Sequence, residues 1–496
     1  KLSKLLAYNA YDSAGTRQLV PIFIKKMDED ERWLYRSVVM PAARAFEEIE
    51  QNGLYVDLEK MAAAEKTIKA QRDAVVKKLN KIAGEPINWN APAKVAEVLY
   101  GKLGLTPTVL TGGGAPSTSE EALIDLHHPI SLLLMEYRGH AKNLSTYTGE
   151  WNPETKKYEG GLREFMIGPH LYVSTKLHGT VTGRYSNRLH SIPRDPEIRG
   201  FITAPPSWDH VQLDLSQAEL KIIAIDSHEP EMLSCFKDGR DIHWRTLMAA
   251  VETGGGEYVD TVFDTARKIT KRKLEFPEAL ALVRDLGERN PEAVIALNGD
   301  WKEARKKAKG INFGFVYDQS PPGFVQYCKV KYGFEPTLQE ATQFQEAYFN
   351  LYRALPAWHD RKRALAKQDG QVRSMSGRVR HLPGIYSSER MVRSEAERQA
   401  INAPIQGFIG EYKAMILIEL HESFPRTHLR ITMEHHDAIL MWVKSEHREQ
   451  VLPRVKLIAE NPRLAREARL KFPIKLNVDM EVGNWGMGKR WRPQEH

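Results

Sequence analysis

The sequence predicts an α+β protein in which one β-sheet is assembled from two segments that lie far apart in the chain. Apolar residues recur at helical spacing through most of the first third. Strand-like segments occur near residues 170–215 and again near 430–480. The region between them is mainly helical in pattern, so the two strand-forming segments would meet across a large helical excursion.

The composition describes a globular protein with a mild preference for an acidic partner. A chain of 496 residues is too long for one core and predicts about two to four structural units. The net charge of +7 favours nucleic acid only weakly. Cys235 and Cys328 are the only cysteines, which excludes a disulfide framework and suits a reducing, cytoplasmic location. No apolar run approaches the roughly 20 residues that span a bilayer, so no membrane partner is expected.

The elements can be assigned in order along the chain. Residues 31–57 read as a helix followed by the short strand "LYVD", and 58–84 as a long amphipathic helix stopped by Gly84. A second helix from 91 and a Gly/Pro/Ser-rich loop at 106–126 complete what looks like a helical arm.

The remaining elements build the predicted sheet and the helical excursion. "LYVSTKL", "RGFITAP" and "HVQLDLS" are strand-like, and helical spacing resumes at 217–252. A mixed insertion at about 253–300 is followed by further helices, a hairpin at 370–384 and a long helical stretch at 390–422. The chain then enters "MEHHDAILMWV", which has two apolar strand-like halves.

Two aspartates interrupt these strand-like runs. Asp214 lies in "HVQLDLSQAEL", and Asp437 lies between the halves of "MEHHDAILMWV". A lone Asp at a turn is usually a surface residue. A carboxylate within an apolar run is costly unless it is paired or binds metal, and these two should share one sheet. They therefore indicate a site for divalent cations such as Mg²⁺, two of which, about 3.5–4 Å apart, would support phosphoryl transfer.

Two polar series with a spacing of four residues suggest binding surfaces. One broad helix face would carry Arg305, Lys309, Phe313 and Tyr317. Its two cations could bind phosphate and its two rings could stack on a base. The alternative is an amphipathic helix whose aromatic residues pack in the core. A second series could hydrogen-bond bases and sugars, or could be a solvated face; it comprises Arg398, Asn402 and Gln406. Pro404 predicts a kink or break in this helix.

These residues also carry a family resemblance. "DLSQAEL", "RKKAKGINFGFVYD" and "HHDAIL" resemble motifs A, B and C of the family A DNA polymerases, the group of bacterial DNA polymerase I and related bacteriophage enzymes. Five further segments resemble family segments in the same order: "GGAPSTSEEAL" (113–123), "TGRYS" (182–186), "DIH" (241–243), "GRVRHLPG" (377–384) and "AERQAINAPIQG" (396–407).

The resemblance, which runs from about residue 30 to the C-terminus, implies a right-hand fold. It has an antiparallel-sheet palm with helical fingers and a helical thumb. The implied divisions are the end of a 3′–5′ exonuclease-like domain (1–27), a connection (28–56), thumb (57–160), palm (161–225), fingers (226–371) and the second part of the palm (372–496). The front segment has a Y-x-x-x-D pattern, and the chain as given is not expected to proofread by itself.

The resemblance also implies a role for each matching residue. Asp214 and Asp437, with the backbone carbonyl of Leu215, would bind two Mg²⁺ ions, with Mn²⁺ as an alternative. Lys309 would also donate a proton to the leaving pyrophosphate, and Glu219 would exclude a ribose 2′-hydroxyl. The implied nucleotide-binding residues are Arg305, Lys309, Phe313, Tyr317, His243, Glu219 and Gln217. Phe313, where some phage members have Tyr, implies poor use of dideoxynucleotides.

The implied partners are primer–template DNA, dNTPs and replication accessory proteins. The residues that resemble the DNA contacts of the family are Arg184, Arg398, Asn402, Gln406 and His436. The implied reaction is DNA-templated extension of a primer 3′-hydroxyl with release of pyrophosphate, in replication or repair.

The chain departs from the family pattern at several positions. Ala438 stands where the family usually has Glu, and Glu434 is a candidate replacement. Asp318 replaces the usual Gly after Tyr317, and the span from His243 to Arg305 is longer than in the bacterial enzymes. These differences favour a bacteriophage source. Three alternatives remain: a single-subunit RNA polymerase, a catalytically inactive DNA-binding protein and a metal-dependent nuclease.

Overall fold

The structure is a computed structural model that describes residues 2–254, 258–468 and 470–493. Residues 1, 255–257, 469 and 494–496 lie outside the described ranges. They belong to the predicted divisions 1–27, 253–300 and 372–496. The helices before residue 260 are α1 (Leu2–Lys26), α2 (Glu29–Leu34), α3 (Met40–Asn52), α4 (Leu58–Ala83), α5 (Pro92–Ala96), α6 (Glu120–Asp125), α7 (Pro129–Asn143), α8 (Pro196–Arg199), α9 (Ala218–Ser227), α10 (Pro230–Lys237), α11 (Ile242–Gly254) and α12 (Val259–Thr270).

The later helices belong mostly to the predicted fingers and second palm segment. They are α13 (Phe276–Arg289), α14 (Pro291–Leu297), α15 (Asp300–Phe315), α16 (Pro321–Tyr332), α17 (Leu338–Leu351), α18 (Ala354–Asp369), α19 (Arg390–Ser423), α20 (Arg448–Glu460) and α21 (Arg463–Glu467). The strands are β1 (Leu54–Val56), β2 (Glu150–Asn152), β3 (Lys157–Glu159), β4 (Met166–Ile167), β5 (His170–Leu171), β6 (Ile202–Thr203), β7 (Trp208–Leu215), β8 (Gln371–Arg373), β9 (Val379–His381), β10 (Leu429–His435), β11 (Ala438–Lys444), β12 (Val478–Val482) and β13 (Lys489–Arg490).

The predicted sheet from two distant segments is present. Its strand order is β10–β11–β7–β12–β13, and each neighbouring pair is antiparallel. β7 comes from the first segment and the other four strands from the second. In this register Asp214 lies opposite Ala438 on one side and Asp479 on the other. The predicted α+β class is confirmed.

Only one of the three strands expected near 170–215 joins that sheet. β5 and β6 instead pair with β1, in a separate sheet of order β4–β5–β1–β6. Gly53 allows this pairing because its φ is +61° and a Cβ there would lie 2.8 Å from the Leu171 carbonyl oxygen. The physical reason for the difference is that a short strand pairs with whichever edge the connecting helices bring near it.

Packing on both faces stabilises the larger sheet. Leu213, Ile439 and Met441 lie in one core together with buried side chains of α19 such as Phe408, whereas Leu440 belongs to a core shared with the smaller sheet. Full burial of such a side chain contributes about 1.5–3 kcal/mol.

Helix α19 runs unbroken through Pro404, so the predicted break is wrong. Pro404 removes one backbone donor, at a cost of about 3 kcal/mol. Buried side chains of α19 on both sides of Pro404, including Ile401, Ile405 and Phe408, contribute more than this.

The helical arm and the helical excursion each have a core of their own. The arm core includes Leu79, Val98 and Leu134, and α4 ends at Ala83 with Gly84 as its C-cap, as the predicted stop at Gly84 requires. A second core contains Trp244 and Trp301, which lie on α11 and α15. The predicted hairpin at 370–384 is present as β8 and β9. Helix α1 has no buried side chain. Among the described residues, no helix is long and apolar enough to cross a bilayer.

Candidate active site

Two aspartates meet where β7 ends and where β10 turns into β11. Asp214 is the penultimate residue of β7, and Asp437 belongs to the two-residue turn between β10 and β11. The backbone N–H of Leu215 donates to the Asp437 carbonyl at 3.1 Å, which links the two chain segments directly. His436 takes a φ of +53°, the positive value that tight hairpin turns require at the first loop position. Such strained non-glycine residues are frequent at functional sites.

The aspartate pair lacks the donors that buried carboxylates normally have. Burial, followed by the negative charges of Asp437 and Asp479, raises the pKa of Asp214 to about 6. Within the described ranges no hydrogen bond reaches the Asp214 side chain, and Oδ1 of Asp437 is buried without a hydrogen-bond partner. Arg184 Nη2 lies 3.8 Å from that oxygen. An unsatisfied carboxylate pair of this kind fits a divalent cation.

Two charged neighbours of the pair were missed by sequence reasoning. Asp479 on β12 lies in register with Asp214, and its carboxylate accepts a hydrogen bond from Ser216 Oγ at 2.5 Å and pairs with Arg490. Arg194 lowers the pKa of Asp214 and that of Lys309. No local pattern could have shown either contact. In the described part of the chain, no three His, Cys, Asp or Glu side chains converge as a metal cluster.

The structure does not support the hypothesis that Glu434 replaces the missing carboxylate at Ala438. The Glu434 side chain is 1% exposed and pairs with the ammonium of Lys413, which is 2% exposed. Its Oε2 also lies 3.0 Å from His190 Nε2. Burial alone would raise the pKa of Glu434, but these contacts lower it to about 2. Lys413 also donates to the His436 carbonyl, so the ion pair supports the turn that carries Asp437.

Replacement of Lys413 with Met tests this buried ion pair. The single variant leaves the Glu434 carboxylate buried without its cation, and we expect the free energy of unfolding to fall by about 3–5 kcal/mol. The double variant Lys413→Met/Glu434→Gln removes both charges and should recover most of that loss. Denaturant unfolding of the two variants and the parent is the measurement. Equal destabilisation of the single and double variants would contradict the pairing.

The predicted phosphate-binding face is present on α15, with one correction. Arg305, Lys309 and Phe313 follow one another along the helix, but α15 ends at Phe315, so Tyr317 lies beyond its last turn. The chain reverses there because Asp318 adopts a φ of +57°, and His359 Nε2 lies 2.9 Å from the Val316 carbonyl oxygen at the helix end. Partial desolvation, then Arg194 and Arg305, lower the pKa of Lys309, which suits a proton donor.

His243 and Asp241 lie beside this face. Arg305 Nη2 donates to the Asp241 carboxylate at 2.5 Å. His243 is buried, its Nδ1 lies 3.1 Å from Asn312 Nδ2, and its ring centroid is 6.1 Å from that of Phe313. Burial lowers the pKa of His243 to about 4, so it is neutral at pH 7.

Glu219 is held between two other predicted site residues. Its carboxylate accepts a hydrogen bond from Arg184 Nη2 at 3.0 Å and another from the Tyr317 hydroxyl at 3.1 Å. Gln217 precedes α9 with a φ of +54°, and its side chain is exposed. Glu219 is therefore oriented by two other side chains.

Four of the five predicted DNA contacts line one cleft of about 530 Å³ beside the Asp437 turn: Arg184, Asn402, Gln406 and His436. Asn402 Oδ1 is buried in it without a hydrogen-bond partner. Arg398 lies one helical turn away on α19, is largely exposed and pairs with Glu395. An open cleft with amide and cationic side chains is suited to a nucleic-acid strand.

Comparison with known proteins identifies the family. The model for DNA polymerase family A matches residues 58–273 and 293–487 of this chain. The chain belongs to DNA polymerase family A. The predicted family is thus confirmed.

Relatives of this family A polymerase include DNA polymerase I of several bacteria. It is 26% identical to the thermostable DNA polymerase I of Thermus filiformis over 480 residues, which is 94% of this chain and 49% of that protein. It is 27% identical to DNA polymerase I of Pseudomonas aeruginosa (92% and 44%) and 28% identical to that of Geobacillus stearothermophilus (92% and 46%). The chain thus spans about half the length of these relatives, and they lend no support to a bacteriophage source.

A solved structure supports the same fold. The POL domain of Pol1 from M. smegmatis, in complex with DNA primer-template and dNTP, matches with a TM-score of 0.71 and 22% identity. The match covers 92% of this chain and 72% of that one.

Proposed function

We propose that this family A polymerase extends a primer 3′-hydroxyl with dNTPs on a DNA template and releases pyrophosphate, in replication or repair. The observation that carries the proposal is the Asp214–Asp437 pair beside the polar cleft of α19, in which Asp437 Oδ1 is buried without a hydrogen bond from any described residue and the pKa of Asp214 is raised. The negative charge of Asp214 partly offsets the lowering of the Lys309 pKa, which supports the proposal that the aspartates and the phosphate-binding face serve one site.

The residues of the pair fit divalent cations. Asp214, Asp437 and the Leu215 carbonyl would hold two Mg²⁺ ions, or Mn²⁺, because hard cations prefer oxygen ligands and Asp437 Oδ1 accepts no hydrogen bond from any described residue. Such ions, when bound, lower the pKa of a hydroxyl nucleophile and stabilise charge on the leaving phosphate.

The side chains of the chain itself bind and orient the substrates. Arg305 and Lys309 bind the triphosphate as cations, with neutral His243 as an additional hydrogen-bonding group. Lys309 transfers a proton to the pyrophosphate oxygen as it leaves, and its lowered pKa facilitates that transfer. Phe313 and Tyr317 contact the incoming base, and Gln217 lies at the edge of the same site.

The cleft beside α19 holds the primer–template. Its amide groups, Asn402 and Gln406, can hydrogen-bond base edges or sugars, and Arg184 can bind phosphate. His436 lines the same cleft, and Arg398 extends the contact surface along α19. Replication accessory proteins remain a further proposed class of partner.

Primer extension with Mg²⁺ tests the proposal. We expect extension with dNTPs and not with rNTPs, and loss of extension in the variant Asp437→Ala. The matched control is Asp209→Ala, which removes a carboxylate of β7 that instead pairs with Arg448 at 3.3 Å. Preferential use of rNTPs would assign RNA synthesis instead. Tight DNA binding without extension would indicate a DNA-binding protein in which Ala438 marks a lost activity.

A further inference from the structure

Helix α13 lies in a stretch of the chain that the family model does not match. The matched ranges end at residue 273 and resume at 293, and α13 occupies Phe276–Arg289 between them. Its side chains Ala279, Leu280 and Val283 are buried in the core that also contains Trp244 and Trp301. The helix is therefore an integral part of the predicted fingers.

The end of α13 contacts the loop that leads into α11. The side chain of Glu288 is 7% exposed. Its Oε2 accepts a hydrogen bond from Arg240 Nη1 at 3.0 Å, and its Oε1 lies 3.7 Å from Arg245 Nε. The backbone N–H of Asp241 donates to the Glu288 carbonyl at 2.6 Å. Both the side chain and the backbone of Glu288 thus hold residues 240–241.

Asp241 also binds Arg305 of the phosphate-binding face. Its Oδ2 accepts from Arg305 Nη2 at 2.5 Å, and its Oδ1 accepts from the backbone N–H of Trp244 at 2.7 Å. Two routes therefore join Glu288 to the Arg305 guanidinium through Asp241. The Glu288 carbonyl binds the Asp241 backbone directly, and the Glu288 carboxylate binds Arg240, the residue next to Asp241 in the chain.

Trp244 of α11 connects α13 with the start of α15. Gly287 packs so closely on Trp244 that a Cβ would lie 1.9 Å from the indole ring. The Trp244 ring centroid lies 5.4 Å from that of Trp301, which is buried on the first turn of α15. Helix α15 also carries Arg305 and Lys309. The phosphate-binding face is therefore connected to α13 in two ways, through Asp241 before α11 and through Trp244 at the start of α15.

We propose that α13 is a positioning element for the incoming nucleotide, and that Glu288 orients Arg305 through Arg240 and Asp241. The inference rests on the proposed role of Arg305 in triphosphate binding. Gly239 precedes these residues with a φ of +68° at the end of α10, and the Glu288 contacts hold Arg240 and Asp241 in the short loop before α11. Loss of the Glu288 carboxylate leaves Arg240 with only partly exposed acidic partners and loosens the loop that carries Asp241.

The test is the affinity for dNTP in a complex with a primer that ends in a dideoxynucleotide, so that binding is measured without chemistry. We expect Glu288→Gln to raise the dNTP Kd about fivefold to tenfold while the Kd for primer–template DNA stays the same. Steady-state extension should show the same rise in KM with little change in kcat. The matched control is Glu278→Gln, which neutralises an exposed carboxylate on the first turn of the same helix.

A double-mutant cycle with Arg305→Lys separates positioning from a general loss of packing. If Glu288 acts through Arg305, the effects of the two substitutions on dNTP affinity will be less than additive. If Glu288→Gln does not fold, Arg240→Gln removes the same ion pair from the other side.

The possible failures are distinguishable. Unchanged dNTP affinity in Glu288→Gln, or additive effects with Arg305→Lys, would overturn the positioning role while leaving polymerase activity intact. Absence of extension by the parent chain would overturn the proposed function. The dNTP Kd values would then still decide the positioning role, since they do not require extension; a parent chain that binds no dNTP would overturn both.

Discussion

Replacement of Asp214 with Asn is expected to reduce nucleotide addition by about 10³-fold or more, because it removes one of the two carboxylates of the proposed cation site. Asn keeps the volume and the strand register, so DNA binding in the cleft beside α19 should be unaffected. Primer extension and DNA affinity measured on the same preparation check both expectations. Near-normal extension by the variant would exclude Asp214 from the cation site.

The same substitution is expected to stabilise the folded protein. The folded-state pKa of Asp214 is raised from 3.8 to about 6 by burial and by Asp437 and Asp479. Because the carboxyl pKa is raised in the folded protein, ionisation of Asp214 lowers the free energy of unfolding. Above pH 6 this loss is about 3 kcal/mol, which corresponds to about two pKa units. Below pH 3.8 the group is protonated in both states, and this cost vanishes.

Thermal unfolding in metal-free buffer measures this effect. Asp214→Asn should unfold at a higher temperature than the parent at about pH 8, and the difference should shrink as the pH is lowered towards about 4. The control is Asp209→Asn, on the same strand. Because Asp209 is paired with Arg448, this variant should be less stable than the parent or equally stable. A variant less stable than the parent at about pH 8 would show that Asp214 has a structural partner in the folded protein.

Replacement of Glu219 with Ala should weaken discrimination against ribonucleotides by about tenfold to a hundredfold. Glu219 is oriented by Arg184 at 3.0 Å and Tyr317 at 3.1 Å, so its side chain has little freedom to move away from a 2′-hydroxyl. Forcing an extra group into a packed site costs about 1–3 kcal/mol, and removing the obstructing side chain relieves that cost.

The measurement is the ratio of kcat/KM for a dNTP to that for the matching rNTP. Glu219→Gln is the control, since it keeps the side-chain volume and should keep most of the discrimination. An unchanged ratio in Glu219→Ala would assign the exclusion of ribose to another residue.

The sequence by itself predicted the family, which is confirmed, and the candidate site residues, which stay a prediction, because both depend on local patterns. Asp214 and Asp437 are recognisable as acids within apolar strand-like runs, and the α15 series follows from a spacing of four residues. The central sheet was predicted for the same reason, since its strands have strong apolar patterns and only one large helical excursion separates them.

The tertiary structure alone decided what surrounds those residues, because side-chain partners distant in sequence are chosen by packing. Glu434 is engaged by Lys413 from α19, and Asp479 lies beside Asp214 only through the register of β12 against β7. Likewise, α19 continues through Pro404 because burial along the helix exceeds the cost of one lost hydrogen bond. The contact of Glu288 with Arg240 also spans 48 residues, a separation at which no sequence periodicity operates.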